Sequence, residues 1–118
     1  MKNKVKIGEH GQAEAEKYLR AKGLILLEKN YRLRGAEIDL IMRDGEYIAF
    51  MEVKYRKSLN YGWPAESINK RKQNKIKFAA LHYIAAKQLS NQDFRFDAVE
   101  LIETSAGLFI KHTENAFS

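Results

Sequence analysis

Two acidic residues and a lysine in the middle of the chain have the types and spacing that a metal site for phosphate chemistry needs. Asp39 lies in one apolar segment, and Glu52 and Lys54 lie two residues apart in the next. Mg²⁺ prefers oxygen ligands and usually takes one or two carboxylates, with waters and phosphate in its other positions. An ammonium beside it can position or deprotonate a bound water. We therefore predict that Asp39, Glu52 and the main-chain carbonyl of Val53 hold Mg²⁺ or Mn²⁺. Lys54 is predicted to be the catalytic amine.

The two segments have the pattern of a β-hairpin. Apolar and polar residues alternate in both, and the Asp-Gly dipeptide at positions 44 and 45 is a strong signal for a two-residue turn. A turn at these residues would place Asp39 opposite Phe50. Glu37 would then lie opposite Glu52, with Asp39 on the diagonal. Diagonal β-carbons are about 7–8 Å apart, so the carboxylates of Asp39 and Glu52 can approach one cation.

Alternation divides this hairpin into two faces, because neighbouring side chains in a strand point to opposite sides. One face is mixed, being apolar near the turn and charged at the far end. The other face is apolar and is predicted to be core. The mixed face comprises Glu37, Asp39, Ile41, Ile48, Phe50, Glu52, Lys54 and Arg56, and the core face comprises Ile38, Leu40, Met42, Tyr47, Ala49, Met51 and Val53.

An exposed strand face with surface salt bridges is the alternative interpretation of these charges. Charged residues make up 31% of the chain, so a Glu-x-Lys triplet arises often by chance. Three further features favour the metal site: the upstream Asp39 with Gly35 before it, a hairpin that places both acids on one face, and the apolar residues that flank them. The combination predicts phosphodiester hydrolysis.

The remaining segments predict what holds the hairpin. An N-terminal helix has Ala15 and Leu19 on its apolar stripe and ends at Gly23. Pro64 suits the start of a second helix of about six turns. The order α-β-β-β-α-β-β predicts one α/β domain over 1–118, a mixed sheet flanked by helices. The predicted elements are a helix at 11–22, strands at 24–34, 36–43 and 46–56, a helix at 64–89, and strands at 94–103 and 107–112.

The composition is that of a globular protein, with 45% hydrophobic and 11% aromatic residues. The formal net charge of +6 favours a polyanionic partner such as nucleic acid, against the alternative of a basic protein without one. The absence of cysteine excludes disulfides, thiolate metal sites and thiol nucleophiles. No segment approaches the roughly 18 apolar residues of a membrane span, and the basic N-terminus lacks an apolar signal region. We therefore expect a cytoplasmic protein that binds no membrane.

Basic residues concentrate at the start of the second helix. A solvated helix face is the usual explanation, but few acidic residues stand at i, i+4 spacing to pair with them. We predict instead a phosphate-binding rim that positions DNA without reading its sequence. Tyr61 and Trp63 are candidates for stacking on bases, with core packing as the alternative. The predicted nucleic-acid-binding residues are Arg56, Lys57, Lys70, Arg71, Lys72 and Lys75.

Asp97 is a further acid within an apolar pattern. Its strand also carries Phe94, Phe96 and Val99, which favours a structural pairing with an arginine over metal ligation. The three histidines do not share a ligand spacing, so they are predicted to be structural or surface residues.

Several motifs together resemble one known family. Ile38-Asp39 followed by Glu52-Val53-Lys54 is similar to the PD-(D/E)xK signature of restriction-endonuclease-like nucleases, whose core has the same order of elements. From Gly8 to Glu100, the stretches GEHGQAEAEKYL, EKNYRLRGAEIDLI, FMEVKYRKS, YGWPAES and RFDAVEL resemble the bacterial YraN family. That family is assigned to the endonuclease-like fold and is compared with Holliday junction resolvases. The resemblance implies a Mg²⁺- or Mn²⁺-dependent endonuclease for branched or junction DNA, working as a two-fold homodimer.

Position 12 departs from the family pattern. The family usually has a glutamate there, and in related nucleases that carboxylate helps to hold or orient the metal. Gln12 occupies this catalytic position here, and Glu16 is the preferred substitute over Glu9 and Glu14. The departure supports an alternative function, a non-catalytic nucleic-acid-binding module with a degenerate nuclease site. A basic protein-interaction domain is a third hypothesis.

Overall fold

The residues that the structure describes form two helices and five strands in the predicted order. The structure is a computed structural model that describes residues 4–57 and 68–118, with side chains from 11 to 56 and from 68 onward. Among these residues, no helix is long and apolar enough to cross a membrane. The elements are α1 (Lys4–Ala21), β1 (Ile25–Leu33), β2 (Ala36–Asp44), β3 (Tyr47–Lys57), α2 (Lys70–Ala86), β4 (Asp93–Thr104) and β5 (Gly107–Phe117).

The strands form one sheet in the order β1-β2-β3-β4-β5. β3 and β4 pair in parallel, and the other neighbours pair antiparallel. Parallel neighbours need a crossover connection, and α2 lies in the one between β3 and β4. The predicted α/β class and mixed sheet are therefore confirmed.

Each helix covers one face of the sheet. Ala15 and Leu19 of α1 pack with a cluster that includes Met51 of β3. Ile76 of α2 packs with a second cluster, which includes Phe50. Phe50 directly precedes Met51 in β3, so the two side chains point to opposite faces of the sheet. Both faces of the central strands are thus buried, which gives near-continuous apolar runs instead of strict alternation.

The predicted division of the hairpin into a core face and a mixed face is correct only in part. On the predicted core face, Leu40, Met42, Ala49 and Met51 are fully buried against α1. Ile38 packs instead in the cluster under α2, and Tyr47 is exposed. The apolar half of the mixed face is a second core, because α2 covers Ile41, Ile48 and Phe50.

The hairpin register differs from the prediction by two residues. Asp44 pairs with Tyr47 and Ile41 pairs with Phe50, so the turn residues are Gly45 and Glu46. Gly45 has φ 62°, as the first central residue of a type II′ turn requires, and Gly favours that position. A shift of two residues does not by itself move a side chain to the other face, because the period of a strand is two.

Both helices begin at other residues than predicted. α1 starts at Lys4, so Glu9, predicted to precede the helix, lies within it. α2 starts at Lys70 rather than near Pro64, because Asn69 has extended φ and ψ of −69° and 163° and caps the helix. Pro64, Tyr61 and Trp63 lie outside the described residues.

Candidate functional site

The site begins where the β2–β3 hairpin opens. The regular pairing of the two strands reaches Leu40 and Met51. Beyond that point, Oδ2 of Asp39 accepts a hydrogen bond from the backbone N–H of Val53 at 2.7 Å. A side chain thus replaces a backbone carbonyl in the ladder. The N–H and C=O of a strand residue point to the same neighbour, so the carbonyl of Val53 also faces β2.

Asp39 and Glu52 form a pair of carboxyl groups at this opening. Burial, a hydrogen bond with Glu52 and the charge of Glu52 raise the pKa of Asp39 to about 8. The N–H of Val53 and the ammonium of Lys72 act in the opposite direction but are weaker. At neutral pH the carboxyl group of Asp39 therefore keeps its proton.

Lys72 of α2 supplies the opposing positive charge. Its Nζ lies 3.0 Å from Oε2 of Glu52; the Lys72 side chain is 52% exposed and that of Glu52 only 7%. Burial lowers the pKa of Lys72, but the hydrogen bond and charge of Glu52, with the charges of Asp39 and Glu37, outweigh it. The pKa of Lys72 is raised overall, so its side chain is positively charged at neutral pH.

The capping of α2 places this lysine. Oδ1 of Asn69 accepts a hydrogen bond from the backbone N–H of Lys72 at 2.8 Å, and Nε2 of Gln73 donates to the carbonyl of Ile68 at 2.7 Å. The first turn of α2 is thereby fixed to the segment before it. Lys72 projects from that turn toward the acids of the hairpin.

An open pocket of about 680 Å³ surrounds these groups. Its acids lie on β2 and β3 and its cations on β1 and α2, so four elements build it. At the rim Nε of Arg32 lies 3.3 Å from Oε2 of Glu37. The lining residues are Arg32, Leu33, Gly35, Ala36, Glu37, Asp39, Glu52, Asn69, Arg71, Lys72, Lys75 and Ile76.

The donor set of the pocket fits a hard divalent cation. Oε2 of Glu52 is buried and, within the described ranges, has the ion pair with Lys72 but no hydrogen bond of good geometry. Two carboxylates and the carbonyl of Val53 are the oxygen donors that Mg²⁺ accepts while it keeps several waters. In the part of the chain that the structure describes, no group of three or more acidic or histidine side chains converges. The pocket thus offers a partial coordination shell, open toward a substrate.

The structure brings together six of the residues predicted for the site. Asp39 and Glu52 line the pocket, the N–H of Val53 donates to Asp39, and the cations of α2 line one side. The side-chain spacing along α2 puts the first and second turns of that helix over the acids. The cations that line the pocket are Arg71, Lys72 and Lys75.

Four predicted residues lie elsewhere. Lys54 is half-buried beside Glu100 of β4 and does not line the pocket. Gln12 lies on α1, where Gly11 contacts Tyr55 on the other face of the sheet. Its proposed substitute Glu16 pairs with Arg20 at 2.9 Å. Lys70 is exposed at the start of α2 and Arg56 is half-buried on β3, while the side chain of Lys57 lies outside the described residues.

Asp97 has the structural role predicted for it. Its carboxylate accepts hydrogen bonds from Nε of Arg95 at 3.1 Å and from the N–H of Asn115 at 3.1 Å. Nε2 of His112 lies 2.8 Å from Oδ2, and Nδ1 of the same ring faces Nζ of Lys22 at 2.9 Å. An ammonium can only donate, so Nδ1 accepts and Nε2 carries the hydrogen that goes to Asp97. The prediction of an arginine partner is confirmed.

Sequence reasoning assigned Lys72 to phosphate contacts and missed its pairing with Glu52. It also missed Arg32 at the rim and Asn69 as the helix cap. The available signal was the cap: an asparagine immediately before a run of helix formers fixes which lysine falls on the first turn. Lys72 is the third residue of α2, and its N–H bonds to Asn69 as such caps require.

Comparison with known proteins gives one consistent result. A model of the uncharacterised protein family UPF0102 matches residues 11–101, which include every residue of the pocket. A UPF0102 protein of Clostridium acetobutylicum is 43% identical over 114 residues, 95% of this chain and 93% of the relative. One from Alkaliphilus metalliredigens is 49% identical over 96 residues, 81% and 84% of the two chains. One from Clostridioides difficile is 43% identical over 119 aligned positions, 99% and 100% of the two chains. The family-level resemblance of the motifs is confirmed, and the chain belongs to the UPF0102 family.

Proposed function

We propose that this protein is a divalent-metal-dependent nuclease that hydrolyses phosphodiester bonds in DNA. The observation that carries the proposal is the pair of Asp39 and Glu52 at the base of an open pocket whose other wall is cationic. Acids that share one charge in a buried position are costly to a fold unless a ligand uses them. The pocket would hold an ion between acids and solvent, with room for a phosphate beside it.

The residues divide the work between ion and substrate. Asp39, Glu52 and the carbonyl of Val53 hold Mg²⁺ or Mn²⁺, which supplies charge neutralisation at the phosphate and a more acidic water. Arg71 and Lys75 bind the phosphate backbone along the first two turns of α2. The two acids are the ones that the resemblance to PD-(D/E)xK nucleases implies, whereas the lysine of that signature, Lys54, does not line the pocket. We propose a restriction-endonuclease-like core on the basis of the acids and the order of elements.

Branched or junction DNA is the proposed substrate, and a two-fold dimer the proposed assembly. The net charge of +6 supports a polyanionic partner. Cutting both strands at a branch point needs two sites related by symmetry, which an isologous dimer supplies. We place this activity in the cytoplasm. Sedimentation equilibrium measures the assembly directly, with a dimer expected in the presence of junction DNA.

A nucleic-acid-binding module without catalysis is the second candidate. It is supported by Gln12, which replaces a carboxylate in the family pattern and does not line the pocket. The cationic wall would then bind phosphates and the acid pair would remain as a remnant. The two candidates predict the same affinity for DNA and differ in cleavage.

The test is cleavage of a labelled four-way junction and a flap DNA with Mg²⁺ or Mn²⁺. We expect cleavage by the wild-type chain and at least a hundredfold loss in Asp39→Asn and Glu52→Gln, because each removes a ligand charge. Binding, measured by fluorescence anisotropy, is expected to persist and to weaken steeply with salt. Both variants keep the shape of the side chain, which protects the fold.

Glu46→Gln is the matched control, because it removes a carboxylate from the same hairpin at its exposed turn. It should cleave like the wild type. Binding of DNA without cleavage under all conditions would establish the second candidate. If Gln12→Glu then produced cleavage, the remaining machinery would be intact.

A further inference from the structure

Lys72 occupies the position that a divalent cation would need. Its Nζ is 3.0 Å from the buried Oε2 of Glu52 and its charge acts on Asp39 as well. An ammonium and a divalent ion cannot both sit against the same carboxylate oxygen without strong repulsion.

We propose that Lys72 is an internal competitor for the metal, an ammonium that holds the acid pair closed until a divalent ion displaces it. The proposal rests on the proposed function, since it describes the regulation of the same site. It assigns Lys72 a role apart from general phosphate binding by Arg71 and Lys75. It also explains how the buried Glu52 and the half-buried Asp39 are tolerated in the absence of an ion.

The geometry allows this exchange without a change in the fold. The backbone of Lys72 is fixed by the Asn69 cap, but about half of its side chain is exposed. A lysine has four rotatable bonds, so the ammonium can leave Glu52 while α2 stays in place. Arg71 and Lys75 also line the pocket, and a phosphate bound there would accept a hydrogen bond from the displaced ammonium.

Ion and phosphate binding would then be coupled through one side chain. A phosphate gives Lys72 an alternative partner and so lowers the cost of displacing it from Glu52. By linkage, an ion at the acids raises the affinity for phosphate by the same factor. The free protein would bind metal weakly, and the complex with nucleic acid would bind it more tightly.

The test is calorimetric titration of Mg²⁺ into the full chain at about pH 8.5, with no DNA present. Lys72→Met should bind Mg²⁺ about tenfold more tightly than the wild type, because a hydrogen-bonded charge competing for Glu52 is gone. Lys75→Met is the matched control, since it removes the same charge from the lining of the same pocket one turn away. Its affinity should change by less than about twofold.

A second variant keeps the test independent of folding. Lys72→Arg retains the competing charge and should bind Mg²⁺ no more tightly than the wild type. Equal or weaker binding by Lys72→Met, with the wild type binding measurably, would overturn the competitor role and leave the proposed metal centre standing. Absence of Mg²⁺ and Mn²⁺ binding in all variants would overturn the metal centre itself, and the competitor role with it.

Discussion

The two faces of the sheet each hold a buried acidic centre, and the two centres are built in opposite ways. On the α1 face, Asp97 is fully buried and surrounded by donors from Arg95, His112 and the backbone of Asn115. On the α2 face, Asp39 and Glu52 face each other and share one half-exposed lysine. The first centre is closed to solvent and the second opens into a pocket.

This difference separates a structural acid from a candidate functional one. A buried charge that is paired and hydrogen-bonded on all sides has nothing left to offer a ligand. Two acids with too few donors retain free lone pairs, and their unfavourable interaction is relieved only by a proton or a cation. Burial alone does not distinguish the two centres; the ratio of acids to donors does.

The largest expected effect on stability comes from removing Asp97, the acid of the closed centre. Asp97→Ala should lower the free energy of unfolding by about 3–5 kcal/mol, because Arg95 would keep only Asp44 and Glu114 as partners and the donors of His112 and Asn115 would lose their buried acceptor. Urea denaturation measures this change. Glu114→Ala, which removes an exposed partner of the same arginine, should cost less than about 1 kcal/mol. Similar costs for the two variants would contradict the structural role of Asp97.

For each unit of pH, an intermediate effect on stability is expected at the open centre. The folded state raises the pKa of Asp39 from 3.8 to about 8, so the folded state keeps a proton that the unfolded chain loses. The stabilisation is complete below about pH 4, declines as pH rises, and is gone above about pH 8. Within that window the free energy of unfolding should fall by up to about 1.4 kcal/mol per pH unit.

Asp39→Asn isolates this contribution, because the amide keeps an acceptor for the N–H of Val53 and does not titrate. The difference in unfolding free energy between wild type and variant should slope with pH across the window. Denaturation series at several pH values measure it. A difference that stays constant from pH 4 to pH 8 would show that the two acids do not share a proton.

The smallest effect is expected at the cap that positions Lys72. Asn69→Ala should lower the free energy of unfolding by about 1 kcal/mol, because the N–H of Lys72 loses its acceptor. Asn69→Asp keeps an acceptor and should cost less. Thermal unfolding followed by circular dichroism measures both. If Asn69→Ala destabilised the protein much less than Asn69→Asp, this would contradict the role of the cap in positioning Lys72 at the open centre.

Periodicity and turn signals predict the order of elements and the common face of Asp39 and Glu52, but not the packing of Ile38 under α2. Alternation predicts that Asp39 and Glu52 lie on one face of the hairpin. A register that differs from the predicted one by an even number of residues leaves this prediction unchanged. The predicted turn lies one residue too early in the sequence. The Asp-Gly dipeptide fits two types of turn, and only the structure shows that Gly45 is the first of the two turn residues. Burial of both faces was also missed, since a strand with charged residues at one end looks amphipathic throughout.

The acids of the candidate site could be predicted from the sequence, but their counter-charge could not. Asp39 and Glu52 lie on one hairpin, so local geometry relates them. Lys72 reaches them through the packing of α2 on the sheet, which local periodicity does not specify. Alternation along β3 puts Lys54 on the same face as Glu52, and the sequence favours Lys54 for that reason. A neighbour along a strand is fixed by the chain, whereas a neighbour across a layer depends on which helix covers it.

The opening of the hairpin beyond Leu40 and Met51 also has a consequence for the order of folding. The hairpin is a local element that can form in microseconds, but Lys72 arrives only with the slower non-local closure of the β3-α2-β4 unit. Until then the carboxylates repel each other at neutral pH and keep that end of the ribbon frayed. The pocket is therefore among the last parts of the molecule to assemble, and a nascent chain that ends before α2 carries its acids without their lysine.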